Sequence, residues 1–274
     1  MTIAGEFSRD TFDSGHLARN AGFVGLAAIG IFVGLSDVLA RAPANATDIG
    51  PPLAAPSSQF LFGTDILGRD LASETLHALA VTSTSAGFGA IVTMLCGSLA
   101  GFLAARLPLG LGVALRGLAA TLCAVPALLL GILFIGLADR NLAVLAAGLA
   151  AAPFAFARAF DRARELNSSN HAETASATGI SASALLRRDL VYEFRGMFVT
   201  NITSALAEVA VIYSTVSFLG FGAVPPHRDL GLMIGAARDA FFDAWWTAAF
   251  PAAALIALIL CARLVATPDV KRQP

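Results

Sequence analysis

Asn170-His171-Ala172-Glu173-Thr174-Ala175-Ser176-Ala177-Thr178-Gly179 is a polar, small-residue run between two blocks of apolar sequence. It lies in a loop, about 160–196, that also carries Arg162, Arg164, Glu165, Arg187, Arg188, Asp189, Glu193 and Arg195, with Arg158 just before it. Such a loop stands out because the chain around it is 57% hydrophobic and only 14% charged, where soluble domains carry roughly 25% charged residues. The apolar residues gather in long runs without the two-residue alternation of a membrane barrel. The fold class is therefore an all-α integral membrane protein, and the loop is the part it keeps in water.

Working outward, hydropathy places six spans at about 21–40, 80–105, 111–138, 141–159, 197–221 and 247–267, each near the ~20 residues that cross ~30 Å of hydrocarbon. Arg9, Arg19 and the Ala40-Arg41-Ala42 segment give the first span some likeness to a cleaved signal. Its length and Asp37 favour an uncleaved helix. With the N-terminus inside, Arg9, Arg19, Arg106, Arg116, Arg158, Arg162, Arg164, Arg187, Arg188, Arg195, Arg263, Lys271 and Arg272 fall on the cytoplasmic side. Arg41, Arg69, Arg140, Arg228 and Arg238 fall outside. That bias predicts both termini in the cytoplasm. The organisation expected is an N-terminal cytoplasmic segment (1–20), a first helix with its outer loop (21–79), a core (80–267) and a cytoplasmic tail (268–274).

Several functions are excluded or disfavoured by composition. A net charge of −1 offers no nucleic-acid surface. Cys96, Cys123 and Cys261 lie in apolar segments without ligand spacing, and His16, His77, His171 and His227 are scattered, so no metal site is expected. Lys271 is the chain's one lysine. A P-loop uses a lysine on the nucleotide phosphates, so any ATP hydrolysis belongs to another polypeptide.

Within the loop, Asn167-Ser168-Ser169-Asn170 offers caps for a helix starting near His171. Glu173 falls in its first turn, where the helix dipole favours a carboxylate. Gly179 ends it, and Ser181 or Ser183 caps a second helix through Leu185 and Leu186. The hairpin is either a knob for a partner's groove or a solvated connector. In the fifth span Asn201, Ser204, Glu208 and Thr215 fall within an arc of about 60° at 100° per residue. An acid in a span faces an aqueous path or a partner, and the alternative for this stripe is interhelical hydrogen bonding. Gly63-Thr64-Asp65-Ile66-Leu67-Gly68-Arg69-Asp70 reads as a tight capped turn, with Thr64 or Asp65 capping and Asp65 and Asp70 paired with Arg69. Leu67, Leu71 and Leu76 are expected on the membrane. The turn is either an outer gate or docking ledge, or a structural cap on the second span. Ala86-Gly87-Phe88-Gly89 and Gly97-Ser98-Leu99-Ala100-Gly101 suit close helix packing, and Pro126 and Pro251 suit kinks.

Glu173-Thr174-Ala175 followed by Gly179 resembles the Glu-Ala-Ala…Gly core of ABC-importer permeases, with Thr174 in place of the first Ala and Val191-Tyr192 where the family has Leu-Pro. Gly63 to Asp70 resembles the Gly-Thr-Asp-x-x-Gly-Arg-Asp signature of the second, C-type permease subunit of dipeptide, oligopeptide and nickel importers. Ser217-Phe218-Leu219-Gly220-Phe221-Gly222, with Pro225-Pro226, resembles that subunit's Ser-Phe-Leu-Gly-Leu-Gly…Pro-Pro turn. Leu232-Met233-Ile234, Ala237-Arg238, Trp246 and Phe250-Pro251 continue in order, over roughly residues 60–255. Arg228-Asp229-Leu230-Gly231 lacks the family's Trp, and Tyr213 stands near where the family places an acid.

The resemblance implies a type I importer fold and half of a translocation path for peptides, nickel or a metal-chelate or opine-like solute. It implies a homologous second permease, two ATPase subunits carrying ATP and magnesium, and an extracytoplasmic binding protein, in the inner membrane. No cofactor and no catalytic residue is expected on this chain. Glu173, Thr174, Ala175 and Gly179 are then the ATPase-coupling residues. Gly63, Thr64, Asp65, Gly68, Arg69 and Asp70 are gate or docking residues. Asn201, Ser204, Glu208 and Thr215 are expected on the path. The other readings are an ion-coupled secondary transporter, disfavoured by the absence of a visible inverted repeat, and a membrane scaffold without a path.

Overall fold

In the computed structural model, residues 3–137, 142–167, 182–223 and 227–267 are described. They form helices α1 (Ile3–Gly34), α2 (Ser36–Leu39) and α3 (Leu71–Thr93), then a π-helical turn at Met94–Leu99. After it come α4 (Ala100–Ala104), α5 (Leu109–Cys123), α6 (Ala127–Leu137) and α7 (Ala143–Asn167). The last are α8 (Ala182–Phe218), α9 (Leu230–Ala236) and α10 (Trp246–Val265). Among the described residues, five helical stretches are long and apolar enough to cross a bilayer, at His16–Gly34, Leu71–Ala104, Ala143–Glu165, Phe198–Phe218 and Trp246–Val265.

The third expected span differs. It is two helices, α5 and α6, bent by 95°. Pro126 has no backbone N–H to continue α5, and its carbonyl accepts from Leu129 N at 2.9 Å to start α6 afresh. The pair makes a sixth span only if taken as one broken crossing. The long loop differs too. Ser181 and residues 168–180 lie outside the described residues, and Leu185 and Leu186 belong to the start of α8, one helix of 37 residues running into the fifth span. Pro251 is buried inside α10, which is continuous through it.

The centre of the bundle is α7. Its small residues Ala146, Ala147, Ala150 and Ala151 are buried with Val209, Ala210 and Val216 of α8, Leu130 of α6, and Ala78 and Ala86 of α3. Small side chains let helices approach to van der Waals contact, which is the main attraction available between helices in lipid. Gly101 shows how tight this is: a Cβ there would lie 2.3 Å from the Phe156 carbonyl oxygen. Gly97 meets the Ala152 carbonyl oxygen in the same way at 2.5 Å. Thr93 Oγ1 donates to the Gly148 carbonyl at 2.9 Å, adding a polar stitch between α3 and α7. Of the glycines expected to pack, Gly87 faces open space instead.

The charged residues segregate to the two ends. One end holds Arg106, Arg116, Arg158, Arg162, Arg164 and Arg263, with Asp161, Glu165 and Glu208 as the described carboxylates among them. There a small second core of Phe102, Ala104, Ala105, Phe160 and Ala163 forms. Arg106 lies over the Phe102 ring at 4.7 Å and Arg164 over Phe160 at 5.4 Å. Arg116 grips Asp161 with two hydrogen bonds of 2.9 and 2.8 Å. The other end is built from residues 40–70 and 219–245.

Gly101→Ala is expected to cost about 1–3 kcal/mol by overpacking, lowering the thermal midpoint of the purified protein. Gly87→Ala, with no atom within 4 Å of its new methyl, should leave the midpoint where it was.

Candidate functional site

Three polar constellations lie among the described residues, two of them at the end built from residues 40–70 and 219–245. The first is built by Gly63 to Asp70. Gly63 and Gly68 take φ of +80° and +64°, conformations that glycine adopts without a steric cost. The space is equally restrictive, since a Cβ on Gly68 would meet the Gly50 carbonyl oxygen at 2.3 Å. Thr64 is fully buried; its hydroxyl donates to the Pro51 carbonyl at 2.5 Å and accepts from Ala54 N at 2.8 Å. Asp65 Oδ1 accepts from Leu67 N at 2.8 Å and Arg69 N at 3.0 Å, closing the turn on itself.

The cap of α3 is Asp70, where Thr64 or Asp65 was expected. Its carboxylate accepts from Ser73 N at 3.1 Å and from Ser73 Oγ. This also corrects the expected pairing: Asp65 approaches Arg69 at 3.7 Å, whereas Asp70 is engaged by Ser73. Ser73 Oγ in turn accepts from Arg41 N at 3.0 Å, tying the loop's start to its end. Leu71 is buried in the core, because the first turn of α3 is covered by this loop. Leu67 remains exposed.

The sequence reading did not find the partner that completes this cluster. Arg228 Nη1 lies 3.5 Å from Asp65 Oδ2 and 3.3 Å from Glu74 Oε2, while Arg69 Nη1 lies 3.7 Å from the same Glu74 oxygen. Two arginines and two carboxylates thus neutralise one another, with side chains 6–19% exposed. Glu74 Oε1 also accepts from Asn45 N at 2.6 Å. A signal was present: Asp65, Asp70 and Glu74 stand against Arg69 alone, a local excess of negative charge that calls for a distant cation.

The second constellation surrounds Asp229, which caps α9 by accepting from Leu232 N at 2.9 Å. Its other oxygen accepts from Ser217 Oγ at 2.5 Å and Ala223 N at 3.1 Å, and Tyr213 lies beside it. The Ser217–Gly222 turn is thereby pinned to α9. Gly231 fits because a Cβ there would fall 2.1 Å from the Ser214 carbonyl oxygen. Leu230 N donates to Thr82 Oγ1 at 3.0 Å, linking α9 to α3. Trp246 Nε1 donates to the Thr64 carbonyl at 3.4 Å, so α10 joins the same end.

At the arginine-rich end the stripe on α8 comes together in part. Arg158 of α7 binds Glu208 through two contacts of 3.0 and 3.4 Å. Arg263 of α10 stands 3.9 Å from Glu208 and 3.4 Å from Ser204 Oγ. Ser204 Oγ is 3.5 Å from Glu208. The charge of Glu208 is therefore met within the chain by arginines on two other helices. Thr215 is apart from this group and returns its hydroxyl to the Val211 carbonyl of its own helix at 2.7 Å. Asn201 lines a cleft of about 110 Å³ that shares Arg158 with this group and also includes Arg162. Glu173, Thr174, Ala175 and Gly179 lie outside the described residues. No group of three or more metal-ligating side chains converges among the described residues.

Among the described residues the chain is a bundle of membrane-length helices with paired charges at both ends. Residues 97–267 match the family described as the binding-protein-dependent transport system inner membrane component, and the chain belongs to it. It is 27% identical over 252 residues to a Brucella abortus protein that carries a provisional name as a peptide transport system permease, covering 91% of this chain and 85% of that one. It is 27% identical over 222 residues to the di/tripeptide transport system permease protein DppC of Pseudomonas aeruginosa, covering 78% and 72%. It is 29% identical over 208 residues to the peptide transport system permease protein SapC of Escherichia coli, covering 75% and 70%. The chain is an ABC-importer permease of the peptide and nickel family, with its all-helical fold.

Two outcomes are expected from the charge clusters. Glu74→Gln leaves two half-buried arginines facing one carboxylate, and removing a partner from such a cluster costs about 1–3 kcal/mol, seen as a lower thermal midpoint. Arg158→Glu should reduce the yield of folded protein by placing two acids together, and adding Glu208→Arg should restore it. A double variant no better than the single one would show that the pair does not hold α7 to α8.

Proposed function

We propose that this chain is one of two permease subunits enclosing the path of an ATP-driven importer of short peptides. The observation that carries the reading is the family match across 97–267, together with relatives named as peptide transport permeases along most of their length. The other members of the assembly are a homologous second permease, two ATPase subunits and an extracytoplasmic binding protein. Nickel and metal-chelate or opine-like solutes remain within the same branch, and the binding protein sets the choice among them. The positive-inside bias of the sequence supports a cytoplasmic arginine-rich end.

In this reading the 168–181 segment joins α7 to α8 and meets an ATPase subunit. Glu173 supplies the polar contact and Gly179 the turn. Movement of that segment acts on the two helices that Arg158 and Glu208 clamp together, so the loop's displacement is passed to the bundle rather than absorbed at its base. The Gly63–Asp70 turn, tied to α3, α10 and Arg228, forms a rigid ledge at the outer end for the gate or the binding protein. Asn201, Ser204 and Glu208 lie on the side of α8 left partly uncovered by this subunit, where a second permease would complete the path.

Mild-detergent purification from native membranes, with the co-purifying proteins identified by mass spectrometry, tests the assembly. An ATPase and a second permease are expected, and recovery of this chain alone under conditions that keep a known importer intact would overturn the reading. Glu173→Lys should abolish uptake and weaken ATPase retention while leaving the fold's thermal midpoint unchanged.

A further inference from the structure

The seam that α3 and α4 present to α7 keeps a spacing that an ordinary helix does not keep. Gly89, Thr93, Gly97 and Gly101 follow one another at every fourth residue, and they meet Gly148, Ala152 and Phe156, again at every fourth residue. An α-helix turns about 100° per residue, so an unbroken one would carry Gly101 about 120° away from the line of Gly89. The π turn at Met94–Leu99 lies between them. Its i→i+5 bonding takes in one residue more than an α turn, which brings Gly101 back to within about 20° of Gly89. The stretch thus holds one residue more than a plain helix needs to join the same two contacts.

The surroundings leave that residue room to move. Leu95 is 58% exposed and Cys96 is exposed, so the described residues leave that side of the turn uncovered. On the other side lies the cleft of about 110 Å³, lined by Met94, Ser98 and Phe102 with Ala155 and Ala159 of α7. After α4 the chain leaves the α-helix in an irregular turn, where Arg106 N donates to the Leu103 carbonyl at 3.0 Å and Leu107 N to the Ala104 carbonyl at 3.1 Å. Such a turn can take up a residue passed along the helix. Passing it would turn Gly101 about 100° off α7 and bring Ala100 into its place. The Ala100 methyl would then crowd the Phe156 carbonyl oxygen, which lies only 2.3 Å from a Cβ built on Gly101. Register and spacing are therefore linked, and α4 seats on α7 only while the extra residue stays within Met94–Leu99.

We propose that Met94–Leu99 is a movable joint, in which a one-residue register shift accompanies the parting of α4 from α7 during the transport cycle. The proposal rests on the importer reading above, in which an ATPase subunit displaces the 168–181 segment at the end of α7. Packed helices hold discrete arrangements rather than deforming continuously, and the clash of Ala100 separates the two arrangements here.

Deletion of Leu95 tests the joint. It removes the extra residue, keeps Gly101 on its line as plain α-helix and denies the stretch a second register. The purified protein should keep a thermal midpoint within about 3 °C of the parent. Deletion of Ile256, which is 56% exposed in the regular α10, turns the buried Leu258 and Ala262 about 100° out of the core and should prevent folding. In the full assembly the Leu95 deletion should recover the same subunits but import about tenfold less, since the step it blocks is conformational. Hydrogen exchange of the parent assembly should change across residues 94–104 between nucleotide-free and ATP-trapped forms, because the shift breaks and remakes those backbone bonds. A Leu95 deletion as damaging as the Ile256 deletion would show that the turn holds no removable residue. Parent-level import by the folded variant, or exchange across 94–104 unchanged on trapping, would show a fixed packing device. Each of these overturns the proposal. Failure of the importer reading is told apart by recovery of the parent chain without an ATPase, while the two deletion midpoints still judge the extra residue.

Discussion

Backbone contact between α7 and the long helix running from α3 through the π turn into α4 is the constraint on which the rest of this bundle depends. In lipid there is little hydrophobic gain from bringing two helices together, so van der Waals contact and a few hydrogen bonds must suffice. Gly97 and Gly101 let the Ala152 and Phe156 carbonyls approach to the distance of direct packing. The π turn at Met94–Leu99 falls within this contact; such a bulge shifts the faces that follow it on a helix. Once α7 is seated there, its alanines form the floor on which α6 and α8 pack.

Around this apolar centre the described charged residues gather in clusters at the two ends. At the end built from residues 40–70 and 219–245, Asp65, Arg69, Glu74 and Arg228 close into a half-buried cluster. At the opposite end Glu208 is held by Arg158 and approached by Arg263. Ion pairs at partly exposed positions contribute little net stability. Their value is geometric: each cluster ties the ends of several helices to one another.

The sequence was most legible where chemistry is local. Five of the six apolar runs were found as spans because a crossing helix needs a long run without charge, and Gly63 and Gly68 were recognisable as turn residues. Pro126 marked the break between α5 and α6, but a proline gives the place of a bend and not its 95° size. Asp70 as the cap of α3 was missed because Thr64, Asp65 and Asp70 are all competent caps, and tertiary contacts chose among them. Thr64 was taken inward by Pro51 and Ala54 instead. Glu208 was visible as an acid in a span, while its partners stand 50 and 55 residues away and are selected by helix packing. The Gly89 and Gly87 pair makes the same point: identical residues two positions apart, one facing Val209 and the other facing open space.

Arg228 meets Glu74 across 154 residues of chain, and Trp246 reaches Thr64 across 182. A polypeptide enters the membrane in order, so the carboxylates of the early loop arrive long before the cation and the indole that complete their surroundings. Until α9 and α10 have been made, the segment from 41 to 70 must remain hydrated or be shielded by something else. Maturation of this face is therefore a late event in biogenesis, and a chain stopped short of its last helix would present an unfinished, negatively charged loop to the quality-control machinery of the membrane.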